Sequence, residues 1–128
     1  VIRQLTLLLL LALLASCTTV TTRKSTGEEV TMTQEEFAKY VEHVFRYHNQ
    51  VMAELIESAS DRTERSSRTF KDLTFAEKHM VTVCEPLNEV VTETLSGQNI
   101  GLQLKMKLVE AAPACESATQ IVDKLIAE

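Results

Sequence analysis

The 128 residues carry 13 basic and 18 acidic side chains, a net charge of −5, which argues against wholesale nucleic-acid binding because that needs a concentrated positive surface. An apolar fraction of 45% suits a globular domain, and the length provides for one hydrophobic core rather than two. Three cysteines and three histidines, with no closely spaced set of four ligands among them, exclude the usual structural zinc motifs.

Residues 1–16 read as an export signal. Arg3 precedes the apolar stretch Leu7 to Leu14, which falls short of the roughly 18–20 residues needed to span a bilayer. Leu14, Ala15 and Ser16 then lead directly to Cys17. This box resembles that of bacterial lipoproteins, in which a dedicated peptidase cuts before a cysteine whose thiol has been diacylated. The resemblance covers residues 1–17 and implies that Cys17 becomes the lipidated first residue, with palmitate-type acyl chains holding the protein on a membrane. A transmembrane helix or an ordinary cleaved signal is the alternative reading of the same run. Thr18, where an aspartate resembles the enterobacterial retention signal for the inner membrane, points to the outer membrane and a domain facing the periplasm. Loss of Arg3 takes the 13 basic residues to 12 against 18 acids, a net charge of −6.

From Cys17 to Met32 the chain is rich in threonine, and Val20, Val30 and Met32 follow no sustained period, so residues 17–32 are expected to form a flexible tether. At about 5–6 Å × √n it would hold the domain roughly 20 Å from the lipid.

Residues 33–128 are expected to form an all-α domain, a small antiparallel bundle of three long helices. Thr33 and Glu36 have capping-box spacing, and Met32 can staple against Phe37. Phe37, Val41, Val44, His48, Val51, Leu55 and Ala59 then recur in alternating four- and three-residue steps. Glu35 with Lys39, and Glu42 with Arg46, are favourable i,i+4 pairs on the outer face. The period vanishes from Ser60 to Arg68, the expected first connection.

A second helix is expected from Thr74, paired with Glu77 as a cap, to Leu95, with Gly97 closing it. Its apolar face is Ala76, Met80, Val83, Cys84, Leu87, Val90, Val91 and Leu95, and the period passes through Pro86, predicting a kink rather than a break. Ile100 to Leu108 alternates as a strand would, but its leucine, methionine, lysine and glutamine favour helix. The helical step of Leu104, Leu108, Ala111, Cys115, Ala118, Val122 and Leu125 extends that helix to the end. Pro113 either kinks it or divides it, giving four helices.

In an exported chain whose Cys17 carries lipid, Cys84 and Cys115 are expected to form a disulfide, with two separate buried thiols as the alternative. Folding helices two and three back about residues 98–99 puts position 84 level with about position 113, close to Cys115.

Little in the sequence suggests catalysis. His43 and His48 diverge around a helix and do not make an i,i+4 metal pair, and His79 stands alone. Ser58, Ser60, Ser66 and Ser67 lack a glycine-flanked elbow. No enzyme, metal or cofactor role is therefore assigned. The segment 61–71 is more informative, with Arg62, Arg65, Arg68 and Lys71 beside Phe70 in an otherwise acidic chain. It is a candidate surface for an envelope protein partner, the alternative being a solvated loop.

The expected function is thus binding or accessory. Tether, helices and one disulfide resemble in general plan the secretion-system pilotins, helical lipoproteins that hold a secretin peptide in a groove. Alternatives are an immunity or inhibitor lipoprotein acting on a toxin or hydrolase, and a structural lipoprotein of envelope assembly.

Overall fold

A computed structural model describes residues 19–59 and 67–128. Its first elements correct the expectation of a flexible tether and of an all-α chain. Strand β1 (Thr19–Arg23) pairs antiparallel with β2 (Glu29–Thr33), Val20 lying opposite Met32 and Thr22 opposite Val30. Val20, Thr22, Val30 and Met32 are the better-buried positions, at the strand period of two. Between the strands, the Gly27 amide donates to the Lys24 carbonyl at 2.8 Å, and Gly27 takes a φ of 87°. That is a turn followed by a left-handed residue, for which glycine is suited because it has no Cβ. A lone two-stranded hairpin is marginal in water; this one packs on the helices, with Val20 and Met32 against the core.

Helix α1 (Gln34–Glu57) starts directly after β2. The capping box forms as the sequence predicts: the Thr33 hydroxyl accepts from the Glu36 amide, and the Glu36 carboxylate accepts from the Thr33 amide at 2.7 Å. Phe37, Val44, His48, Val51 and Leu55 form its buried face. Ala59 lies exposed beyond the helix end, in a tighter 3-10 turn.

Helix α2 (Ser67–Leu95) begins seven residues before Thr74. The proposed cap at Thr74 is therefore not one: its hydroxyl donates to the Phe70 carbonyl at 2.8 Å, one turn back inside the helix. Leu73, Ala76, Met80, Cys84 and Leu87 are buried, whereas Leu95 is 83% exposed and leaves the expected face. The helix ends as predicted at Gly97, with φ 73°, where the Gln98 amide reaches Glu93 and the Gly97 amide reaches Thr94. This is the Schellman arrangement.

Helix α3 (Leu102–Ala127) runs unbroken through Pro113, so the alternative of four helices is not realised and the strand-like alternation near residues 100–108 is overridden. Its buried face is Leu104, Leu108, Ala112, Cys115, Ala118, Thr119 and Val122, with Ala112 replacing the expected Ala111.

Helix α3 is the centre of the bundle; α1 and α2 both pack on it and touch each other much less. The Tyr40 phenol donates to Glu116 and the Tyr47 phenol to Asp123, each at 2.7 Å. A step of seven residues along α1 thus matches seven along α3, so the two helices run in the same direction. Helix α2 runs opposite to α3 through the Gly97 turn, and the predicted Cys84–Cys115 disulfide joins them with Cα atoms 4.8 Å apart.

Candidate functional site

Three places in the fold concentrate chemistry. The first is an exposed stripe near the start of α2. Arg68, Lys71, Phe75 and Lys78 recur at helical spacing and are all exposed, Phe75 to 78%. Phe70, on another side of the same turns, is 44% exposed. Two of the chain's four phenylalanines therefore meet solvent on a segment that also carries cations. Helix α2 explains the arrangement: Leu73, Ala76 and Met80 supply its buried side, and the three- and four-residue steps from Arg68 send Phe75 well away from it.

Arg68, Phe70 and Lys71 were candidates from sequence. Arg62 and Arg65, like Cys17, lie outside the described residues. Phe75 and Lys78 were not singled out, although Phe75 falls off the periodic apolar face and could have been found by asking which large apolar residue α2 does not bury.

The second place is an open groove of about 590 Å³ lined by Glu42, Phe45, Arg46, Asn49 and Val91. It follows from the topology, because two helices that both pack on a third leave a furrow between themselves. Arg46 and Glu42 pair across its α1 side at 2.8 Å, both well exposed, an arrangement that contributes little to stability. A second cleft, of about 450 Å³, lies between the hairpin and α3 and includes Thr22, Arg23, Val109 and Pro113.

The third place is buried. His48 is 5% exposed, and Cys84 and Cys115 are fully enclosed. One imidazole nitrogen and the two sulfurs lie within 4.8 Å of one another. The Thr119 hydroxyl donates to the Cys115 carbonyl at 2.7 Å and sits 3.9 Å from the Cys84 sulfur. Nδ1 of His48 is buried with no hydrogen-bond partner among the described residues, and burial holds the imidazole pKa below its ordinary value. His43 and His79, by contrast, are exposed.

No helix among the described residues is long and apolar enough to cross a membrane. No protein-family model, curated protein or solved structure matches the chain.

Proposed function

We propose that this chain is a lipid-anchored binding protein of the bacterial envelope, carried on Cys17 at the outer membrane and facing the periplasm. It engages a protein partner through the outer face of α2. The observation that carries the reading is Phe75, 78% exposed in line with Arg68, Lys71 and Lys78. Aromatic and arginine side chains are over-represented at protein interfaces, where their large contact area is decisive. A cationic stripe around an apolar anchor fits an acidic, partly apolar segment of the partner, and Arg62 and Arg65, just ahead of α2 in the sequence, add charge of the same sign. No side chain is assigned a catalytic role.

A second reading, favoured by the furrow between α1 and α2, is a groove binder of the pilotin kind, with the peptide lying along Phe45 and Val91. The two surfaces make different predictions. A photo-cross-linking residue placed at Phe75 in cells should trap one envelope protein, and the adduct should disappear in Arg68→Glu/Lys71→Glu. Adducts arising only from position 91 would transfer the function to the groove. Absence of adducts at both positions, under conditions that trap known envelope complexes, would refute a protein-binding role. The anchor is tested separately: Cys17→Ser should release the protein from the membrane fraction, and unchanged membrane association would refute lipidation at that residue.

A further inference from the structure

In the buried triad of His48, Cys84 and Cys115, Nδ1 of the imidazole has no hydrogen-bond partner among the described residues. Buried polar groups are nearly always satisfied, and one that is not asks for an explanation. The disulfide uses both sulfurs but gives His48 nothing in return. We propose that the same three residues form a binding site for a thiophilic divalent cation, zinc in class, in the chain whose Cys84–Cys115 bond has not formed or has been reduced.

The charge balance selects a divalent ion. Two thiolates and a neutral imidazole around a dication sum to zero, and a neutral cluster is the arrangement least penalised by burial. A monocation would leave one uncompensated negative charge in the core. The geometry is also close. Zinc–sulfur bonds of about 2.3 Å and zinc–nitrogen bonds of about 2.0–2.1 Å put tetrahedral ligands roughly 3.5–3.8 Å apart. The three donor atoms already lie within 4.8 Å of one another; the sulfurs, bonded in the oxidised form, must separate, and the imidazole must close on them by up to about 1 Å to reach that spacing. The Thr119 hydroxyl, 3.9 Å from the Cys84 sulfur, is a polar neighbour of the same cluster. The backbones of α1, α2 and α3 thus converge on one point that can be closed covalently or by an ion.

The conversion balances simply. A dithiol or phosphine reductant supplies two electrons, the sulfur–sulfur bond breaks, and each sulfur takes a proton; the dithiol becomes a disulfide, or the phosphine an oxide with oxygen from water. The cation then displaces both thiol protons to solvent. In the oxidising envelope the disulfide is the end state, so the site would act in chains that have yet to be oxidised.

Cobalt(II) serves as the spectroscopic probe and zinc as its competitor. The full chain, reduced and refolded in a phosphine, should take up one cobalt with thiolate-to-metal charge-transfer absorption, and zinc should displace it. Cys84→Ser should abolish the charge-transfer spectrum of the two-thiolate site. His48→Gln should weaken binding at least about tenfold, the lower end of what even an outer-shell partner is worth, while the exposed His43→Ala leaves it unchanged. Failure of the folded, reduced chain to bind, or binding indifferent to His48→Gln, would overturn the proposal. If the reduced chain does not fold alone, zinc should restore its helical circular dichroism, and no restoration overturns the proposal equally.

Discussion

The Thr22 hydroxyl donates to the carbonyl of Val109 at 2.6 Å, joining the hairpin to the central helix. Val109 is four residues before Pro113, whose ring nitrogen has no hydrogen to give back to that carbonyl. The hairpin therefore satisfies the acceptor that the proline leaves open, and the same bond gives the polar side chain of Thr22, buried to 3% exposure, its partner.

Thr22→Val keeps the shape and removes the donor, so it should destabilise the fold by about 1–3 kcal/mol, toward the lower end for a part-buried bond. In a Pro113→Ala background the helix supplies its own amide, and the cost of Thr22→Val should shrink. Urea unfolding of the four proteins of this cycle checks the coupling; strictly additive effects would show that the two residues do not share the carbonyl.

Tyr40 and Tyr47 are the chain's only tyrosines, and both phenols are pushed far above their ordinary pKa, first by burial and then by the carboxylates of Glu116 and Asp123. The folded state thus holds these protons more tightly than the unfolded state, whose tyrosines titrate near about 10. The stability they contribute is complete below that value and declines as pH rises above it. Absorbance titration should show tyrosinate appearing together with loss of helical signal, and Tyr40→Phe/Tyr47→Phe should weaken that alkaline transition. Independent tyrosine titration near the ordinary value, in the folded protein, would contradict the two bonds.

Replacing both disulfide cysteines with alanine should cost about 3–4 kcal/mol in the chain-entropy account of a loop this long, together with whatever packing the sulfurs provide. The sequence separation is 31 residues. Comparison of Cys84→Ala/Cys115→Ala with the oxidised parent by denaturant midpoint measures it. A loss well below 1 kcal/mol would mean that the bond adds little to the packing of α2 on α3.

The reciprocal cap at the start of α1 gives an acid-side prediction. The Thr33 amide, then the Thr33 hydroxyl, hold the Glu36 carboxyl below its ordinary pKa. Its support for folding is present above the unfolded carboxylate range and is lost as pH falls through the lowered folded value. Thr33→Ala removes the hydroxyl but keeps the backbone amide, so it should remove only part of this dependence and return Glu36 part of the way toward its ordinary titration, which carboxyl NMR shifts would read directly.

Much of the helical fold was legible because long amphipathic periods leave one arrangement that buries them. The Thr33–Glu36 cap, the Gly97 terminus, the two outer ion pairs and the Cys84–Cys115 bond all stood in the residue order. The start of α2 was misplaced because residues 67–73 offer only Phe70 and Leu73 as apolar markers, and Thr74 had the spacing of a cap. The hairpin was missed because its strands are five residues each and threonine-rich. The signal lay in Val20 and Thr22 facing Val30 and Met32, two apart on either side of Gly27.

Local chemistry thus determined helix caps, helix faces and the disulfide, since these depend on neighbours within a turn or on a short antiparallel return. Tertiary structure alone decided the rest. Whether a threonine-rich segment pairs as strands depends on α3 offering Val109 and an apolar surface to pack against. Whether His48 is an ordinary core residue or the third member of a sulfur site depends on α1, α2 and α3 meeting at one level. No spacing along the chain encodes that meeting, because it is set by how three separate apolar faces share one core.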